Sequence, residues 1–129
     1  MAKILVIDDS VAVVELMERI LSEDEHEVFT ASSGKDGEAI LSSHPLDLVI
    51  TDIYMPDVDG LELIRMARRV KPGLRILAMS SATGKYAILP VAKALGASGT
   101  LMKPFSRGEL KDAVRTCLRQ MAVSEKKSA

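Results

Sequence analysis

Residues 3–9 read KILVIDD and residues 46–52 read LDLVITD. Each is a short apolar run that ends in acidic residues. The apolar residues are near-continuous rather than alternating, as in strands covered on both faces, which is the condition of a parallel sheet. Working outward, three more runs have strand length: 28–30 (VFT), 75–79 (RILAM) and 100–102 (TLM). With Lys3–Ile7 and 46–50 they make five expected strands.

Helical patterns separate them. Val13, Val14, Met17, Ile20 and Leu21 recur with the helical period, as do Leu110, Ala113, Val114, Cys117, Leu118 and Met121. Gly37, Ile40 and Leu41 mark a second helix, and Leu61, Ile64 and Ala67 a third. Gly34, Gly60, Gly73 and Gly96 punctuate the ends of elements. The fourth helix is the least regular, because Pro90 falls inside 86–95 and proline suits only a first turn. A start near Leu89 is expected, with 81–88 as a loop.

Strand and helix thus alternate five times. That order predicts an α/β fold, a (βα)5 doubly wound three-layer sandwich of the flavodoxin-like type. Its parallel five-stranded sheet has order 2-1-3-4-5. Ligands of such sheets sit outside the carboxyl ends of the strands, at the switch point between strands one and three. The domain is expected over 1–122, with 123–129 (VSEKKSA) as a polar, frayed tail and no output domain after it.

Composition narrows the function. The 129 residues suffice for one domain with a sizeable core. Aromatic residues are only 3%, so that core is aliphatic. Lys plus Arg is 17 against 18 Asp plus Glu, which argues against a nucleic-acid face or a polybasic membrane anchor. The first apolar run is too short for a signal peptide or a membrane span. The single cysteine, Cys117, excludes an internal disulfide and suits a reducing cytoplasm.

At the carboxyl ends of the strands stand Asp8 and Asp9, Asp52, Ser80 with Ser81, and Lys103 with Pro104. Three carboxylates brought together repel one another and demand a cation. Hard oxygen ligands in a small cluster select Mg2+. A lysine at the same rim supplies a point charge for a phosphoryl oxygen, and a serine hydroxyl supplies a hydrogen bond. The set predicts phosphoryl transfer to a carboxylate, with Asp52 as nucleophile.

Asp8-Asp9-Ser10 after a strand, Asp52-Ile53-Tyr54-Met55-Pro56 with Gly60 following, Ser80 after strand four and Lys103-Pro104-Phe105 resemble the receiver domains of bacterial response regulators, the CheY-like family. The resemblance covers residues 3–121. It implies a stand-alone, single-domain regulator in a two-component pathway or phosphorelay. A histidine kinase or histidine phosphotransfer protein would phosphorylate Asp52. Asp9, Asp52 and the Tyr54 carbonyl would bind Mg2+ directly, and Asp8 through a bound water. Ser80 would be the switch hydroxyl, Lys103 the ionic partner of the phosphoryl group, and Lys103–Pro104 a cis bond. A downstream target protein would read the face formed by 89–102. The chain would catalyse its own phosphorylation and slow dephosphorylation without turning over an outside substrate.

Two features depart from the family's usual pattern. The position three before Lys103 is Thr100, where the family often has an aromatic switch residue. Tyr54, two after Asp52, and Ala82, two after Ser80, both point to slow self-dephosphorylation. The alternative is a receiver-shaped interaction module that acts without phosphorylation. An Asp-nucleophile phosphatase needs a second Asp where Tyr54 stands, and a flavin phosphate would be repelled by Asp8 and Asp9.

Other residues have plainer readings. One of Asp8 and Asp9 could cap the first helix. Cys117 is expected as a small core residue, and His26 and His44 carry no assigned role. Glu23, Asp24, Glu25 and Glu27 are expected as a solvated loop, and Arg65, Arg68, Arg69 and Lys71 as a solvated helix face.

Overall fold

The computed structural model describes residues 2–81 and 88–128. Strands and helices alternate in them as β1 (Lys3–Ile7), α1 (Val11–Ser22), β2 (Glu27–Ala31), α2 (Gly34–Ser43) and β3 (Leu48–Asp52). Then follow α3 (Gly60–Val70), β4 (Arg75–Ser81), α4 (Ile88–Ala94), β5 (Gly99–Lys103) and α5 (Arg107–Ser128). All neighbouring strands pair in parallel, in the order β2-β1-β3-β4-β5, which is the expected topology.

Side chains alternate along each strand, and this divides the core. Ile4, Val6, Leu48, Ile50, Leu77, Met79 and Leu101 form one half with Met17 and Leu21 of α1 and Leu110, Val114 and Cys117 of α5. Leu5, Ile7, Val49, Ile76 and Ala78 form the other with Leu41, Leu63, Ile64, Ala67 and Ala92 of α2, α3 and α4. A sheet covered on both faces has no place for an alternating polar residue, so its strands read as continuous apolar runs.

The boundaries differ from expectation at the ligand end. β3 begins at Leu48 and runs through Asp52. Asp47 instead closes the opposite edge, where its carboxylate accepts the Lys3 N–H at 2.8 Å. β4 and β5 run to Ser81 and Lys103 because Ser80 pairs with Met102 and Ser81 with Lys103. Ser81 is therefore strand, not loop. The remainder of the expected loop, 82–87 with Ala82, lies outside the described residues. α4 starts at Ile88 and holds Pro90 in its first turn, where the missing N–H has no helical partner to lose. Residues 123–128 continue α5 rather than forming a separate tail, since no Gly or Pro interrupts them.

α3 packs tightly under the site. A Cβ on Gly60, its first residue, would lie 2.4 Å from the Asp52 carbonyl oxygen, so only glycine lets the helix begin there.

Candidate functional site

Register builds the site. Ile7 of β1 pairs with Thr51 of β3, so Asp8 and Asp52, the next residues, come side by side. Both share the alternation of Ile4 and Val6, and of Leu48 and Ile50, that faces α1 and α5. Lys103 shares the same alternation through Leu101, and its long stem reaches back across β4. Lys103 Nζ donates to Asp8 Oδ2 at 2.5 Å and to Asp52 Oδ2 at 3.2 Å. Ser80 has the opposite alternation, that of Ile76 and Ala78. Its Oγ is buried, and among the described residues it has no hydrogen-bond partner.

The two adjacent aspartates are not equivalent. Asp8 is fully buried and Asp52 nearly so, whereas Asp9 is exposed. Neither caps α1; Ser10 does, accepting the Val13 N–H at 3.4 Å. Asp8 instead accepts the Ser10 N–H through Oδ1 at 2.9 Å, leaving its other oxygen for Lys103. Asp8, Asp9 and Asp52 each bring one carboxylate oxygen within 4.8 Å of the others.

The electrostatics follow from burial. Desolvation pushes the Asp52 carboxyl above its ordinary range. Lys103 pulls it back, the charge of Asp8 pushes it further up, and a Tyr54 backbone hydrogen bond opposes the rise. For Lys103 burial works to lower the ammonium, but the hydrogen bond and charge of Asp8 and those of Asp52 outweigh it and hold Lys103 above its ordinary value. With all groups ionised, three carboxylates face one ammonium. The excess negative charge and the all-oxygen donor set fit a small hard dication.

Tyr54, on the loop directly after β3, is 52% exposed. It lines a cleft of about 400 Å3 with Ile53, Met55, Pro56, Asp59 and Leu61; none of the three clustered carboxylates borders it. Lys103–Pro104 is cis, as the resemblance implies. Thr100 lies on β5, with Val91 of α4 and Met102 of β5 among the exposed apolar side chains nearby in sequence.

Several other residues differ from their plain readings. Glu23 and Asp24 pair with Arg107, Lys111 and Arg115 of α5. Arg68 is half-buried and donates to the Gly96 and Pro72 carbonyls, and Lys71 donates to the His44 carbonyl. His26 Nδ1 accepts the Ala2 N–H at 3.0 Å. Cys117 is buried as expected, and burial raises its thiol pKa to about 11. Asp57 has no role legible from the sequence, yet its carboxylate accepts two backbone N–H groups at the start of α2. Its partners lie 23 and 22 residues earlier, beyond any local pattern.

The family model for the response regulator receiver domain matches residues 4–115. Sporulation initiation phosphotransferase F of Bacillus subtilis is 29% identical over 116 residues, covering 90% of this chain and 93% of that protein. The transcriptional regulatory protein CusR of Escherichia coli is 35% identical over 120 residues, covering 93% of this chain but 52% of CusR. This chain thus spans about half the length of that relative. The solved response regulator receiver domain protein from Clostridium thermocellum superposes with a TM-score of 0.88 at 30% identity, over 95% of this chain and 98% of the other.

Proposed function

The chain belongs to the response regulator receiver family, and from that premise we propose that it is a phosphoacceptor switch whose nucleophile is Asp52. The observation that carries the proposal is the buried Asp8–Asp52–Lys103 cluster, with Asp9 within reach of the same point. In this reading Asp9, Asp52 and the Tyr54 carbonyl would hold Mg2+, with Asp8 supporting them. Bound there, the ion would neutralise charge on the transferring phosphoryl oxygens.

The chain's own residues do the rest. An Asp52 carboxylate oxygen attacks phosphorus in line, and the bond from phosphorus to the donor histidine nitrogen breaks, leaving the electron pair on that nitrogen. Lys103 already bridges Asp8 and Asp52 and needs only a short move to meet a phosphoryl oxygen. Ser80 Oγ, without a partner among the described residues, is available to donate to another. A covalent phosphate adds about −1.5 to −2 charge, which draws Ser80 and Lys103 inward and shifts the 89–102 face that a target protein reads. Tyr54 shields the acyl phosphate, so self-dephosphorylation is slow. Replacement by Asn with no change in that rate rejects this role.

The donor is a histidine kinase or phosphotransfer protein. The chain turns over no outside substrate, binds no nucleic acid and acts in the cytoplasm. Among the described residues no helix is long and apolar enough to cross a membrane. Intact-mass measurement after incubation with acetyl phosphate tests the reading. One added phosphoryl mass that requires both Mg2+ and Asp52 is expected, and is absent in Asp52→Ala. A folded chain that gains no mass under any condition is instead a phosphorylation-independent interaction module.

A further inference from the structure

The loop over 53–59 must hold the Tyr54 carbonyl toward the cation, yet Tyr54, Pro56, Asp57 and Asp59 are all exposed. Fixing a free backbone costs conformational entropy at every residue, and Mg2+ tolerates little departure from octahedral geometry. A loop that is already fixed binds better.

Backbone hydrogen bonds fix its ends. Ile53 N–H donates to the Met79 carbonyl at 3.0 Å, and Gly60 N–H to the Ile53 carbonyl at 2.9 Å. The middle is held by Asp57. Its Oδ1 accepts the Gly34 N–H at 3.1 Å and its Oδ2 the Lys35 N–H at 2.9 Å. These charge-assisted bonds lie at the positive end of α2, and they hold the Asp57 carboxyl below its ordinary range, that from Lys35 foremost. Beside them a Cβ on Gly34 would lie 2.5 Å from Val58 Cβ, so helix and loop touch with no room for a side chain.

α2 has its own cap besides. Ser33 Oγ accepts the Asp36 N–H at 3.1 Å, and the Ser33 carbonyl the Gly37 N–H at 3.0 Å. Asp59 serves α3, accepting the Leu61 N–H. Among the described residues, Asp57 is the one side chain of the loop that hydrogen-bonds to a different helix.

We infer that Asp57 is a positioning residue for the cation site, clamping the 53–59 loop to α2 so that the Tyr54 carbonyl is held in place. The inference rests on the phosphoacceptor reading. It assigns α2, which supplies no ligand, a part in setting metal affinity.

Mg2+ titrations of the wild-type chain, Asp57→Ala, Asp57→Asn and Ser33→Ala, read by calorimetry, separate the possibilities. Asp57→Ala is expected to weaken Mg2+ binding about tenfold, the scale of lost outer-shell support. Asp57→Asn keeps one acceptor oxygen and falls between. Ser33→Ala strips the cap of α2 but spares the clamp, and binds as the wild type does. Amide exchange at Tyr54 and Met55 should quicken in Asp57→Ala and not in Ser33→Ala. Wild-type affinity in Asp57→Ala overturns the inference, as does an equal loss in Ser33→Ala, which would trace the effect to helix stability. A wild-type chain that binds no Mg2+ at all rejects the phosphoacceptor reading itself, and this inference with it.

Discussion

Two groups of charged residues in this molecule look alike in composition and differ in kind. Asp8, Asp9, Asp52 and Lys103 gather at the strand ends, with Asp8 and Asp52 buried. Glu23, Asp24, Arg107, Lys111 and Arg115 link the end of α1 to α5, and there Arg107 and Arg115 are more than half exposed. The first group sets three carboxylates against one cation, the second two against three. A partly exposed network with cations to spare needs nothing further. A desolvated cluster with excess like charge is incomplete by itself, and under the proposed function that incompleteness would let it take a cation and a phosphoryl group.

The contrast can be broken or sharpened by substitution. The largest effect is expected for Lys103→Met. Removing the cation from a buried pair should cost about 3 kcal/mol at neutral pH without divalent ions. Added Mg2+ should restore more stability in this variant than in the wild type, as urea unfolding with and without the ion would reveal. An unchanged unfolding midpoint would mean that the cluster is no more dependent on its cation than the surface network is.

Gly60→Ala comes next. Its methyl would press on the Asp52 carbonyl, and overpacking at such a contact costs about 2 kcal/mol. Thermal unfolding measures the loss, and slower labelling by acetyl phosphate should accompany it as Asp52 shifts.

Asp52→Asn should go the other way and stabilise the metal-free chain by about 1 kcal/mol, because a desolvated charge is removed. The pH dependence carries the same information. The folded chain holds the Asp52 proton more tightly than the unfolded chain does, so this residue makes stability fall as pH rises through and above the ordinary carboxylate range. In Asp52→Asn that part of the slope should vanish. Lys103, raised in the folded state, contributes fully at neutral pH and loses its contribution only as pH passes the ordinary lysine range. Unfolding across a pH series, with both variants, tests both statements.

The smallest effect belongs to Asp24→Ala in the partly exposed network. A change below about 1 kcal/mol is expected, shrinking further in high salt. A loss matching that of Lys103→Met would erase the distinction between the two groups.

Much of this was legible in the chain itself. Five apolar runs alternating with helical periods determined the fold class and strand order, because burial on both faces and right-handed crossovers leave little choice. Asp8, Asp9, Asp52, Ser80 and Lys103 stand at strand ends in any such fold, so the candidate site was legible as well. Other matters depended on distance in the chain. Adjacent aspartates point to opposite sides, and only the pairing of β1 with β3 decided that Asp8 is buried against Lys103 while Asp9 is exposed. Glu23 and Asp24 read as a solvated loop until α5 brought three cations to them, and Arg68 as a solvated residue until it met Gly96. Asp57 carries no signal in the sequence, because its two N–H partners belong to α2, more than twenty positions earlier. Periodicity is a local property that repeats within each element, so the sequence carries it openly. Which charge meets which partner depends on register and packing between elements, and tertiary structure alone decides that.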